Sequence, residues 1–181
     1  MKSSMTGTVD PRKLQQAESI RAEDSHHIFE GGGQCIAALT SLIGTSRRRL
    51  RIFSQHLARQ IYGDLAVVDA LSEFARSSRY AQVEILITDS EPLLRQPHRL
   101  LPLLKRLQSR ITLRKIQPSS EPTDWEFAIA DQRLSLSVSD HLKWNGQYRS
   151  DDPVRNAKLT DVFEQHWLAA RPDPALRQFV L

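Results

Sequence analysis

The sequence predicts a mixed α/β fold: a largely parallel sheet flanked by helices, with a C-terminal β-hairpin and helix. Three observations lead there. Short apolar runs of β type, LRIFS, VEILIT and ITLRKI, alternate with helical stretches, and strands separated by helices imply right-handed crossovers between parallel neighbours. Two further runs, WEFAIA at 125–130 and LSLSVS at 134–139, are separated only by Asp131, Gln132 and Arg133, which reads as a hairpin. A chain of 181 residues, 40% hydrophobic and 25% charged, fits one globular domain with a short tail.

Taken in order, residues 1–25 are polar and weakly periodic and read as a flexible arm, with a short helix over Pro11 to Ala22 led by a first-turn proline. The single domain is expected over 26–181. HHIFEGGGQ carries three glycines ahead of the helical run QCIAALTSLIGTS. It lacks both the GxGxxG spacing and a following Gly-Lys-Ser/Thr, so it reads as a flexible start to a helix and not as a phosphate loop.

After LRIFS and the linker QHLARQIYG, the stretch DLAVVDALSEFARSS repeats Leu65, Val68, Leu71 and Phe74 at helical spacing, with Asp64 as N-cap. VEILIT, residues 83–88, is apolar on both faces, as in a buried parallel strand. The loop DSEPLLRQP leads to the helix HRLLPLLKRLQS. Its leucines form one broad apolar side and leave Lys105 and Arg106 outside. ITLRKI and the hairpin follow, then a polar loop from Asp140 to about Arg155, and finally the helix AKLTDVFEQHWLAA, stopped by ARPDP.

Cys35 is the sole cysteine, which excludes an internal disulfide and a cysteine cage for zinc. The first residues contain no apolar run, and no stretch of about 18 apolar residues could span a membrane, so a cytoplasmic protein without a membrane partner is expected. The net charge is +4 and arginine outnumbers lysine, which permits a nucleic-acid or other anionic partner. Neither HExxH nor GxSxG occurs, and no metal or cofactor is expected.

The triplet His141-Leu142-Lys143 raises the question of phosphodiester chemistry, but position 148 is Tyr where a signature aspartate would stand, and Asn145-Gly146 reads as a turn. The element order itself resembles a single repeat of the phospholipase D-like fold, whose signature is HxKxxxxD, six residues, then GSxN. The corresponding stretch is DWEFAIADQRLSLSVSDH, residues 124–141. With the signature aspartate on Asp131, the His position falls on Asp124 and the Lys position on Glu126. GSxN falls on Val138, Ser139, Asp140 and His141, of which Ser139 matches.

The resemblance implies a His nucleophile forming a phosphohistidine, a Lys neutralising the phosphate and an Asp acting through the His. Here two of those positions are acidic, and together they would repel a phosphate. Two readings of the acidic pair stand side by side: a new cation site built from Asp124, Glu126, Asp131 and His141, or internal pairing with arginines such as Arg114 or Arg133 or simple solvent exposure. The second is preferred.

Ligands in open α/β folds bind beyond the carboxyl ends of the strands. Those positions hold His56 and Arg59, then Asp89, with Arg95 and His98 approaching, and His141, Lys143 and Trp144 at the mouth. Asp131, His56 and His141 are therefore the candidates for any catalysis, and Asp124, Glu126, Ser139, Arg59, Lys143 and Trp144 for binding. Nucleic-acid contacts are sought on RRRLR at 47–51, on the basic residues at 95–106, and on Arg110, Arg114 and Lys115. The expected function is a non-catalytic phospholipase D-like domain that binds an anionic ligand, nucleic acid or protein. The alternatives are a divergent phosphodiesterase or nuclease acting as a homodimer, which the resemblance implies, and an accessory domain of another enzyme.

Overall fold

A computed structural model describes residues 26–118 and 123–180; the expected N-terminal arm and its helix lie outside these. Along the chain run β1 (His26–Phe29), α1 (Gly31–Thr45), β2 (Arg49–Ser54), α2 (Arg59–Tyr62), α3 (Leu65–Ser77), β3 (Gln82–Ile87), α4 (Glu91–Arg95), α5 (Leu100–Arg106) and β4 (Ile111–Lys115). The hairpin strands β5 (Phe127–Ala130) and β6 (Leu134–Asp140) follow, then β7 (Asn145–Arg149), α6 (Pro153–Ala169) and α7 (Pro174–Val180). The strands form one seven-stranded sheet in the order β1-β7-β6-β5-β2-β3-β4.

The expected mixed α/β sheet flanked by helices is present, with a different balance of directions. Only β2–β3 and β3–β4 are parallel, and the remaining pairings are antiparallel. The polar stretch after Asp140 causes the difference. Its tip is a short turn in which the Asp140 carboxylate accepts from Leu142 N and Lys143 N, and the chain then returns as β7 between β6 and β1. Gly146 is needed in that strand and not in a turn: a Cβ there would meet Ser137 O at 2.2 Å and Phe29 Cζ at 2.6 Å. The three glycines likewise lie in the helix itself, since α1 begins at Gly31, with φ of +82°.

Strand alternation divides the core. Leu50, Ile52, Ala128, Ala130, Leu134 and Leu136 face α1, α3 and α5, whereas Phe53, Leu86, Phe127 and Ile129 face Leu159 and Phe163 of α6. Burial on both faces explains the nearly continuous apolar run of β3, broken by the half-buried Glu84. Asp64 caps α3 by accepting from Ala66 N, and Asp152 caps α6 by accepting from Arg155 N.

Candidate functional site

The carboxyl ends of β2 and β3 and the start of β5 form one rim of the sheet. Glu126 lies there, 4% exposed, on the face shared with Ser54. One carboxylate oxygen accepts the Tyr62 hydroxyl at 2.6 Å; the other accepts Ser54 Oγ at 3.0 Å and the Gln55 backbone N–H at 3.3 Å. Burial outweighs these donors and pushes the Glu126 carboxyl up to about 7. Burial, then the neighbouring Glu126 charge, raises the Tyr62 hydroxyl well above its ordinary value and the Cys35 thiol up to about 12.

Asp124 is exposed beside this cluster. The Gln55 amide reaches its carbonyl oxygen at 3.5 Å and donates to His141 Nδ1 at 3.0 Å, so Asp124, Glu126 and His141 gather around Gln55.

Asp131 does not join them. It terminates β5 at the other end, roughly 16 Å along the strand from Glu126 at about 3.3 Å per residue. With φ of +52°, its carboxylate accepts from the backbone N–H groups of Arg47, Arg48 and Arg49 at 2.8, 2.9 and 3.1 Å. The acidic residues therefore do not converge, and no metal-binding group of three ligand side chains occurs among the described residues. Of the other reading, the arginine pairing does not form, since Arg133 pairs with Asp151 and Arg114 lies 4.3 Å over the Trp167 ring, while Asp124 has the solvent exposure that reading also allowed.

Trp144, expected at the mouth, is 6% exposed and belongs to the main core; its φ of +58° closes the turn into β7. Its indole N–H has no hydrogen-bond partner among the described residues. Ser139 donates to Asn145 O within the same hairpin, and Lys143 is exposed at its tip.

The rim candidates come together more fully. His56, Arg59, Arg95, Gln96, His98 and Arg99 line one cleft of about 720 Å³. Its floor is fixed. His98 Nε2 donates to Leu57 O at 2.9 Å and its Nδ1 accepts from Leu100 N at 3.2 Å, which sets a neutral tautomer, and burial lowers its pKa further. The Ser54 hydroxyl accepts from Leu57 N at 2.9 Å and holds Leu57 at φ of +52°. His98 is thus a supporting side chain. Arg59 and Arg99 contact only Gln96 and the Gly63 carbonyl, with no carboxylate partner among the described residues, whereas Arg95 pairs with Glu91. Asp89, expected on the rim, accepts from Glu91 N just ahead of α4, whose N-cap is Ser90.

Sequence reasoning missed Tyr62, Ser54 and Gln55 as the partners of Glu126. Ser54 and Gln55 carried a usable signal, being the first polar residues after an apolar strand. Tyr62 lies on a single turn of helix inside what reads as a linker, and nothing local distinguishes it.

The chain belongs to the family described as Domain of unknown function (DUF7931), whose model matches residues 32–179. No curated protein matches it in sequence. Among solved structures it is similar to Nuc from Salmonella typhimurium, a phospholipase D family member, with a TM-score of 0.58 and 16% identity over 81% of this chain and 97% of that one. NucT from Helicobacter pylori gives 0.59 and 14% over 82% and 98%. TrmBL2, an archaeal chromatin protein that binds DNA, gives 0.61 and 12% over 90% of this chain but only 60% of its own length. These likenesses show the fold, which is phospholipase D-like.

Proposed function

We propose that this phospholipase D-like domain is a non-catalytic module that binds nucleic acid. The observation that carries the reading is the exchange of chemistry on one rim. Where the signature of the fold would present His and Lys, this chain has Asp124 and the buried Glu126, whose two oxygens are taken by Tyr62, Ser54 and Gln55. A carboxyl enclosed in this way offers no nucleophile to a phosphorus atom, and once ionised its charge opposes the phosphate that a lysine would hold. The adjacent cleft keeps His56, Arg59 and Arg99, and arginine forks suit phosphate oxygens. DNA binding by TrmBL2, a protein similar in fold, agrees with this choice of partner.

The test has two arms. Titration of the protein with duplex DNA and single-stranded RNA between 50 and 200 mM salt, roughly the range in which phosphate contacts are revealed, should give binding that weakens as salt rises. Incubation with bis(p-nitrophenyl) phosphate should release no nitrophenol. Hydrolysis that disappears in Glu126→Gln would replace this reading with the divergent phosphodiesterase, and salt-independent or absent binding would remove the nucleic acid.

A further inference from the structure

At the opposite end of the sheet from the rim, a second and larger cleft of about 1050 Å³ lies between the start of β2, the β5–β6 turn and the first half of α6. Arg47, Arg48, Arg49 and Arg133 line it. The first three are consecutive, exposed, and without a carboxylate partner among the described residues. Two carboxylates also reach the lining, Asp131 and Asp161. Asp131 is engaged by the backbone N–H groups of the three arginines, so it fixes the stretch that displays them. The wall is rigid too: Asn156, 3% exposed, donates to Leu134 O at 2.7 Å and ties α6 to the hairpin.

We propose that this cleft is a second phosphate-binding site, which holds the backbone of a double-stranded nucleic acid by way of Arg47, Arg48 and Arg49. The inference rests on the nucleic-acid reading and adds a footprint that the rim does not supply. Single-strand sites combine basic grooves with aromatic platforms for the bases, and no aromatic side chain lines this cleft. Its volume sits at the upper end for small-ligand pockets, roughly 1000 Å³, and three consecutive arginines line it. Contacts of this kind set position and affinity without reading sequence.

The experiment compares the whole chain with Arg47→Ala/Arg48→Ala in the cleft, Arg59→Ala/Arg99→Ala on the rim, and Arg47→Lys/Arg48→Lys as the charge-conserving control. Each is titrated with duplex DNA, duplex RNA, single-stranded DNA and polyglutamate. The cleft double variant should bind duplex about tenfold or more weakly, and its salt slope should fall by about 2, near 0.9 for each phosphate it no longer neutralises. The lysine variant should keep the slope, which separates missing charge from failed folding. The two duplex arms tell which nucleic acid is held. Duplex binding by the wild type with an unchanged cleft variant overturns this site and leaves the proposed function standing; no nucleic-acid binding by the wild type overturns both. Single-stranded DNA bound as tightly, with the same weakening in the variant, overturns the duplex assignment. Equal binding of polyglutamate would identify an acidic protein and overturn the nucleic acid.

Discussion

The Tyr62 hydroxyl donates to Glu126 across 2.6 Å, joining the short helix after β2 to the start of β5 inside the core of the rim. Glu126 is a buried side chain there whose protonation bears directly on stability. Its carboxyl is raised from 4.5 to about 7 by burial, so the folded state binds a proton more tightly than the unfolded chain. The stabilising proton is fully present below about pH 4.5 and is lost as pH rises through 7. Each tenfold difference in proton affinity is about 1.4 kcal/mol, so this group should withdraw on the order of 3 kcal/mol across that window. Urea unfolding from pH 4.5 to 8.5 should show the decline in the wild type but not in Glu126→Gln. Parallel profiles would place the titration elsewhere.

Tyr62→Phe removes the only hydroxyl on one Glu126 oxygen while keeping the ring. A hydrogen bond to a charged group contributes about 1.5–3 kcal/mol, so the variant should lose roughly 2 kcal/mol at pH 8, where Glu126 is ionised, and less at pH 5. An equal loss at both pH values would mean that the ring, and not the hydroxyl, supplies the effect.

Much of the fold is legible in the sequence because strands and helices differ in period. The run VEILI is largely buried on both faces as its nearly continuous hydrophobicity implies, and Asp64 caps the helix it precedes. β1 and β7 are not legible, since HHIF and NGQYR lack the apolar alternation of a strand; they pair with each other, and β7 with β6, through backbone groups. The site is legible only in part. Positions i and i+2 put Asp124 and Glu126 on one side, yet burial separates them: one stays in water and the other sits under Tyr62. Asp131 reads as a partner of these two, and only tertiary pairing with the backbone at 47–49 shows that it belongs to the other end.

For Asp131, conformation and hydrogen bonding separate by substitution. Asn accepts a positive φ and retains one oxygen for the N–H groups; Gly accepts the φ but has no oxygen; Ala has neither advantage. Stability should fall in the order Asp, Asn, Gly, Ala, with Ala lower by about 2 kcal/mol, since the bonds are exposed and water replaces part of what is removed. Thermal melts of the three variants give the order. Gly falling below Ala would show that backbone freedom, not φ, dominates.

Gly146→Ala should cost roughly 3 kcal/mol, the upper part of the range for overpacking a core. The added methyl meets both the Phe29 ring and the Ser137 carbonyl. Phe29→Leu in the same chain should not restore stability, because the second obstacle is backbone. Recovery in the double variant, measured by urea unfolding, would show that the ring alone excludes a side chain.

Arg51 tests whether charge at the start of β2 acts on the fold or on a ligand. Unlike its neighbours at 47–49 it is 8% exposed, with bonds to Glu84 at 2.8 Å and Glu164 at 2.9 Å and its guanidinium 5.3 Å over the Phe163 ring. Two of its three guanidinium nitrogens are engaged by carboxylates, although the residue also borders the cleft at 47–49. Removing it leaves Glu84, with 21% side-chain exposure, beside Glu164 without a counter-charge, and breaking such a partly buried pair costs about 3 kcal/mol. Arg51→Gln should therefore unfold at lower urea yet bind duplex DNA, under conditions where it remains folded, with the wild-type salt slope. Arg47→Ala/Arg48→Ala should do the reverse, keeping its stability and losing slope. A reduced slope in Arg51→Gln would show that the arginine leaves its carboxylates when nucleic acid arrives.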